Sequence, residues 1–194
     1  MHPSVARLAE LMPPHAGAGD AIDWDEARRK WGTDFPADYR DFVSVYGGGS
    51  IDNGFFVGLP LLVAPGVRRP LTFEELNEDG YGLLDLEPDE DPDLCGRISW
   101  ATDCAANHAF WDTSHPDPDR WTVLVLEREG NWVAHDCGMV DFLVGLMTGE
   151  ITGMGGFSPE QALFLNWREE RRLKEPGSFP GLTLERPRRC SVGQ

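Results

Sequence analysis

FPADYRDFVSVYGGGSIDNG, residues 35–54, places aromatic side chains at offsets of three and four directly before three consecutive glycines. Wound at 3.6 residues per turn, Phe35, Tyr39, Phe42, Val43 and Tyr46 share one face, so a short aromatic helix is predicted. Pro36 suits its first turn, where a missing N–H costs nothing, and Thr33 or Asp34 is placed to cap it. Gly47 is the natural left-handed terminator, and Gly48 and Gly49 are read with it as structural. A phosphate cradle needs its glycines before a helix, where free N–H groups converge on the anion. Here they follow one, and neither GxxxxGK[ST] nor GxGxxG is present.

Upstream, Val5, Leu8, Ala9 and Met12 predict a first short helix. PPHAGAGD, residues 13–20, is then expected to be a flexible joint. Asp23 caps a second helix through about Trp31, which Gly32 ends. Downstream, a turn at Asn53-Gly54 leads into a strand from Phe55 to Leu59. Thr72 and Glu75 have the spacing of a capping box.

RISWAT, HAFWD, WTVLVLE and NWVAHDCG, between Arg97 and Gly138, are short and rich in β-branched and aromatic residues, with brief turn-like connectors. Parallel crossovers need a dozen or more residues, so an antiparallel meander is predicted. WTVLVLE is apolar on both faces and reads as a central strand, covered by helices on one side and by aromatics or a loop on the other. VDFLVGLM, residues 140–147, reads as an apolar helix. A last helix is expected from Ser158, with Pro159 at its first position and Gln161 completing a capping box. The fold class is α+β. Residues 1–151 form the main domain with a core of about 24–151, and residues 152–194 add a C-terminal helix and a loosely ordered tail on the same domain.

Seventeen basic residues stand against thirty-three acidic ones, a formal charge of −16. Such a surface repels nucleic-acid backbones and anionic lipid, and it attracts a cationic protein. The longest apolar run, FFVGLPLLVAPGV, is too short to span a bilayer, and Arg7 and Glu10 break up any leader-like core. Cys95, Cys104, Cys137 and Cys190 show no tight spacing, so reduced thiols in a cytoplasm are expected. Residues 85–94, DLEPDEDPDL, carry Asp85, Glu87, Asp89, Glu90, Asp91 and Asp93. They lack an EF-hand pattern, and Pro88 and Pro92 do not suit that ligand geometry. They read as a solvated loop able to present charge to a basic partner, with Asp112 as a further contact.

Asp103, His108, Asp112, His115 and His135 are the best enzyme-like set. On a strand, however, His108 and Asp112 are about 13 Å apart, too far to share a metal. Neither HExxH nor a Cys/His pair supports a metal site, and GGGSI is not a nucleophile elbow. No metal, cofactor or catalytic residue is assigned. A hydrolase would require His108 or His135 to meet a carboxylate at about 3 Å in a concave pocket.

WGTDFPADYRDFVSVYGGGSIDNGFF resembles the signature of the SMI1/KNR4 (SUKH) superfamily. Phe35-Pro36 stands for its Leu-Pro, Tyr39 and Phe42 match Tyr-x-x-Phe, and Gly47 to Gly49 match its Gly-rich end. Ile98 to Asp103, AFWD, WTVLVLE and VDFLVGLM follow the family's order of strands closed by an apolar helix. The resemblance covers roughly residues 24–151. It implies an α+β fold with a curved, mostly antiparallel sheet and helices packed on it. It also implies a protein-binding role: immunity against a basic, nuclease-type toxin, or alternatively a regulatory scaffold. The acidic segment and the residues after Ile151 depart from a minimal member.

Overall fold

The computed structural model describes residues 1–64, 69–84 and 96–174. The acidic residues 85–94, Cys95 and Cys190 therefore lie outside the described residues. Six helices are described: α1 (Pro3–Leu11), α2 (Trp24–Trp31), α3 (Ala37–Val45), α4 (Phe73–Gly82), α5 (Met139–Thr148) and α6 (Trp167–Lys174). Seven strands, β1 (Gly49–Ile51), β2 (Phe55–Val57), β3 (Arg97–Asp103), β4 (His108–Asp112), β5 (Thr122–Leu126), β6 (Trp132–His135) and β7 (Phe164–Asn166), form one sheet in the order β6-β5-β4-β3-β2-β1-β7. Every pairing among these strands is antiparallel, and among the described residues the sheet is open, with edges at β6 and β7. The fold is α+β, and the meander from β3 to β6 is as the short connectors require.

One face of the sheet carries the main core. Phe55, Val57, Trp100, Trp111, Val123 and Val125 are buried against α1, α3 and α5. Tyr39 meets Trp111 edge-on at 5.0 Å, and Phe42 stacks on Tyr46 at 4.9 Å. Such contacts add to plain area burial. Both phenols have acceptors inside: Tyr39 donates to the Gly58 carbonyl at 3.0 Å and Tyr46 to that of Met12 at 2.7 Å. Burial therefore raises both phenol pKa values above their ordinary range.

The glycine run divides its duties. Gly47, at φ +75°, ends α3 and donates to the Val43 carbonyl. Gly48 packs against Leu59 and Pro70, where a Cβ would come within 2.8 Å of each. Gly49 is already in β1, and a Cβ there would sit 2.1 Å from the Leu165 carbonyl oxygen of β7. Termination describes only the first of the three.

Several local expectations give way to long-range contacts. Neither Thr33 nor Asp34 caps α3; Asp119 accepts from Ala37 N at 2.6 Å instead, with Pro36 at the cap position. Asp38 of α3 in turn accepts from Val140 N at 2.9 Å and closes the start of α5, whose own cap is Gly138. The hairpin between β1 and β2 bends through left-handed Asp52 and Asn53, one residue earlier than expected, and β2 stops at Val57. Beyond that point α4 takes the place of a strand beside β3, and Asn77 Oδ1 accepts from Ser99 N at 2.8 Å next to a β-bulge.

The helix expected from Ser158 does not form. Pro159–Gln161 is a single 3-10 turn without a Ser158 cap, and Phe164–Asn166 is strand β7 on the β1 edge. Only Trp167–Lys174 is helical. Burial of Phe164 against Phe42 and Tyr46 outweighs the local helical pattern. The expected joint at residues 13–20 is a fastening as well. Asp20 accepts from Gly48 N (2.9 Å), Asn166 Nδ2 (3.2 Å), Trp167 Nε1 (3.2 Å) and the Arg168 guanidinium.

Candidate functional site

The second face of the sheet is where side chains meet a cleft. Strand register lines up Leu165, Ser50, Phe56, Thr102, His108, Leu126 and Trp132 in one row across all seven strands. Helices cover the row unevenly. Ser50 is fully buried beneath α6 and donates to Glu170 Oε1. His108 is buried beneath α4, where Gly80 lies so close that a Cβ would be 2.8 Å from Phe110 and 3.2 Å from the His108 ring. Between these covers a cavity of about 410 Å³ opens over Phe56 and Thr102.

One wall is Arg69, Pro70 and Leu71; the other is Trp167, Glu170, Arg171 and Lys174 of α6. Arg69, Lys174 and Glu170 among its charged groups are paired. Arg69 grips Glu75 with both guanidinium nitrogens, at 2.8 and 2.6 Å, and Glu75 also accepts from Thr72 N within the expected capping box. The Arg69 bonds, followed by those from Thr72, hold the Glu75 carboxyl down at about 2. Lys174 reaches Asn53 Oδ1 at 3.0 Å and Glu170 at 3.8 Å. The result is a mostly apolar slot with charges at its rim, suited to receiving an apolar group.

His108 faces hydroxyls. Its Nδ1 lies 3.5 Å from Ser99 Oγ and its Nε2 3.4 Å from Thr102 Oγ1. Burial lowers its pKa, against the opposing pull of Asp79 and Asp103. Asp103 itself is committed to the β3–β4 turn and its neighbour, accepting from Ala105 N, Asn107 N, Asn107 Nδ2 and Gly155 N. His135 sits on the opposite face, edge-on to Phe142 at 5.0 Å, and burial lowers its pKa too. His115 Nδ1 accepts from Asp117 N, and Asp112 Oδ1 from Ser114 N, in the β4–β5 connection. The five candidates are thus spread over both faces and one end of the sheet. Among the described residues no group of three His, Cys, Asp or Glu side chains is placed to hold a metal ion.

Pro36, Tyr39, Phe42, Tyr46, Gly47, Gly48 and Gly49 all serve the scaffold, and Asp112 is the one proposed contact residue that the structure describes. Of the residues singled out in the sequence, Asp103 and Gly49 line the cavity, while Phe56, Thr102, Trp167 and Glu170 escaped sequence reading as site residues. Ser50 and Glu170 are 120 positions apart, and no local pattern links them. Comparison with protein-family models, curated proteins and solved structures finds no match. Among the described residues no helix is long and apolar enough to cross a membrane.

Proposed function

We propose that the protein is a non-enzymatic binding module of SMI1/KNR4 type, with the curved sheet of that family, which captures a basic protein in the cytoplasm. A nuclease-type toxin neutralised by an immunity protein is the partner this reading favours. The observation that carries it is the charge: −16 over 194 residues makes a surface that speeds encounter with a cationic partner. The buried position of His108 and the packing of His135 against Phe142, away from the cavity, support binding in place of chemistry.

The test is affinity capture with the purified protein from its native host, followed by co-expression with whatever basic partner is recovered. Rescue of growth from a toxic partner is the expected result. Capture of a partner without toxicity would replace immunity with a regulatory scaffold role. Hydrolysis of a small-molecule substrate that is lost in His108→Gln would overturn the non-enzymatic reading.

A further inference from the structure

Sheet edges normally carry protection against strand addition, such as lysine, proline, a bulge or a covering segment. The β7 edge has a cover: Asn166 N donates to His15 Nε2 at 3.3 Å, and residues 17–20 are tied to Asn166, Trp167 and Arg168. The β6 edge is built differently. NWVAHDC, residues 131–137, contains neither lysine nor proline. Glu127 N donates to Asn131 O at 2.9 Å, so the alternation of an antiparallel ladder turns Asn131 and Val133 toward β5. The backbone N–H and C=O groups of Trp132 and Ala134 therefore point away from the sheet.

The side chains along this edge form an apolar lip. Val133 is 39% exposed, one of the few large apolar side chains so exposed among the described residues. Trp132 is half-buried against the Phe110–Leu126 cluster, with the Arg97 guanidinium 4.3 Å from its ring centre. The flanks are net acidic: Glu127 and Glu129, with Arg128 between them, at one end, and Asp136 and the α5 residue Asp141 at the other. Cys137 registers that field. Burial first, then Asp141, Asp136 and Asp38, push its thiol up to about 11.

We infer that the edge of β6, unpaired among the described residues, is a strand-addition site, on which an extended cationic segment of a partner protein pairs with Trp132 and Ala134 and lays an apolar side chain against Val133. The inference rests on the binding-module reading and names where that module engages. Main-chain bonds supply affinity in such pairing and alternate side chains supply specificity. A second copy of this chain is the poorer occupant, because two surfaces of charge −16 repel.

The probe is a synthetic peptide of alternating lysine and valine, about eight residues long. Its controls are a glutamate–valine counterpart and a lysine–valine version N-methylated at alternate residues. Binding is followed by NMR and amide hydrogen exchange. The lysine–valine peptide is expected to slow exchange at Trp132 and Ala134 by at least about tenfold and to weaken with added salt, while neither control binds.

Ala134→Pro removes one outward N–H and should cut affinity by at least about tenfold. Val133→Lys, which adds an edge cation, should do the same if the proline variant loses its native circular dichroism. No binding at about 1 mM peptide, protection elsewhere, binding of the N-methylated peptide, or a dimer formed through β6 would each overturn the inference. Equal capture of the native partner by wild type and Ala134→Pro would remove the β6 site and leave the binding-module reading standing. Peptide pairing on β6 with no partner captured by either protein would do the reverse.

Discussion

Asp20→Ala is expected to destabilise the protein far more than its place in a Gly/Ala-rich stretch suggests. The Asp20 side chain is 4% exposed and accepts from Gly48 N, Asn166 Nδ2, Trp167 Nε1 and the Arg168 guanidinium. A hydrogen bond to a charged group contributes about 1.5–3 kcal/mol. Arg168 is 42% exposed, so its share falls below about 1 kcal/mol. The others converge on one carboxylate and do not add fully. Truncation to alanine should therefore cost about 3–5 kcal/mol, much of it from donors left inside without an acceptor. Asp20→Asn keeps one acceptor oxygen and should lose about half as much.

Urea unfolding measures the difference, with midpoint and slope reported separately because a changed slope would signal a change other than stability. For a chain of this size the alanine variant should melt roughly 6–20 °C lower. Amide exchange at Gly48 should accelerate before the global transition, since its N–H loses its acceptor. A loss below about 1 kcal/mol, or unchanged protection at Gly48, would refute the assignment of residues 13–20 as the fastening of β7 and α6.

Gly49→Ala should destabilise by pushing a Cβ into the Leu165 carbonyl; a melting temperature equal to wild type would show that β7 yields freely. For pH dependence, His108 and His135 have folded pKa values below the ordinary value of about 6.5, so the unfolded chain binds more protons just below it. Their contribution is present above that pH and is lost as pH falls toward the folded values. His108→Gln should accordingly flatten the stability profile below neutrality in thermal melts, and an unaltered slope would count against the buried, neutral ring. Peptide-resolved alkylation of the native protein should label exposed Cys104 well before Cys137, whose thiol stands at about 11. Equal labelling rates would contradict the burial of Cys137.

What could be read in advance was local. Asp23 capping Glu26 N, Gly32 in left-handed conformation, and the Thr72–Glu75 box all involve groups within three residues or a single backbone angle. The meander was equally legible, because connectors too short for crossovers leave only hairpins. Helix starts closed from a distance were not. Asp119 serves α3 from 82 positions away, and Asp38 serves α5 from 102. SPEQALFLNWREERRLK reads as one helix by spacing, yet its first half serves the sheet. The aromatic pocket of Phe42 and Tyr46 and the open side of β1 compete for Phe164 more strongly than a helical turn does.

The same logic separates scaffold from function along the FPADYRDFVSVYGGG stretch. Its aromatic residues face inward, and its glycines allow Leu59, Pro70 and β7 to approach. A surface that must recognise a partner needs the opposite, namely backbone donors and apolar side chains left open to solvent. Among the described residues those occur together on β6, a strand whose sequence carries no recognisable motif and whose edge position follows only from counting register across the sheet. Strand order decides which backbone is free to bind, and strand order is a long-range property. Motif residues therefore identify the frame, while the place where a partner can attach depends on how the frame ends.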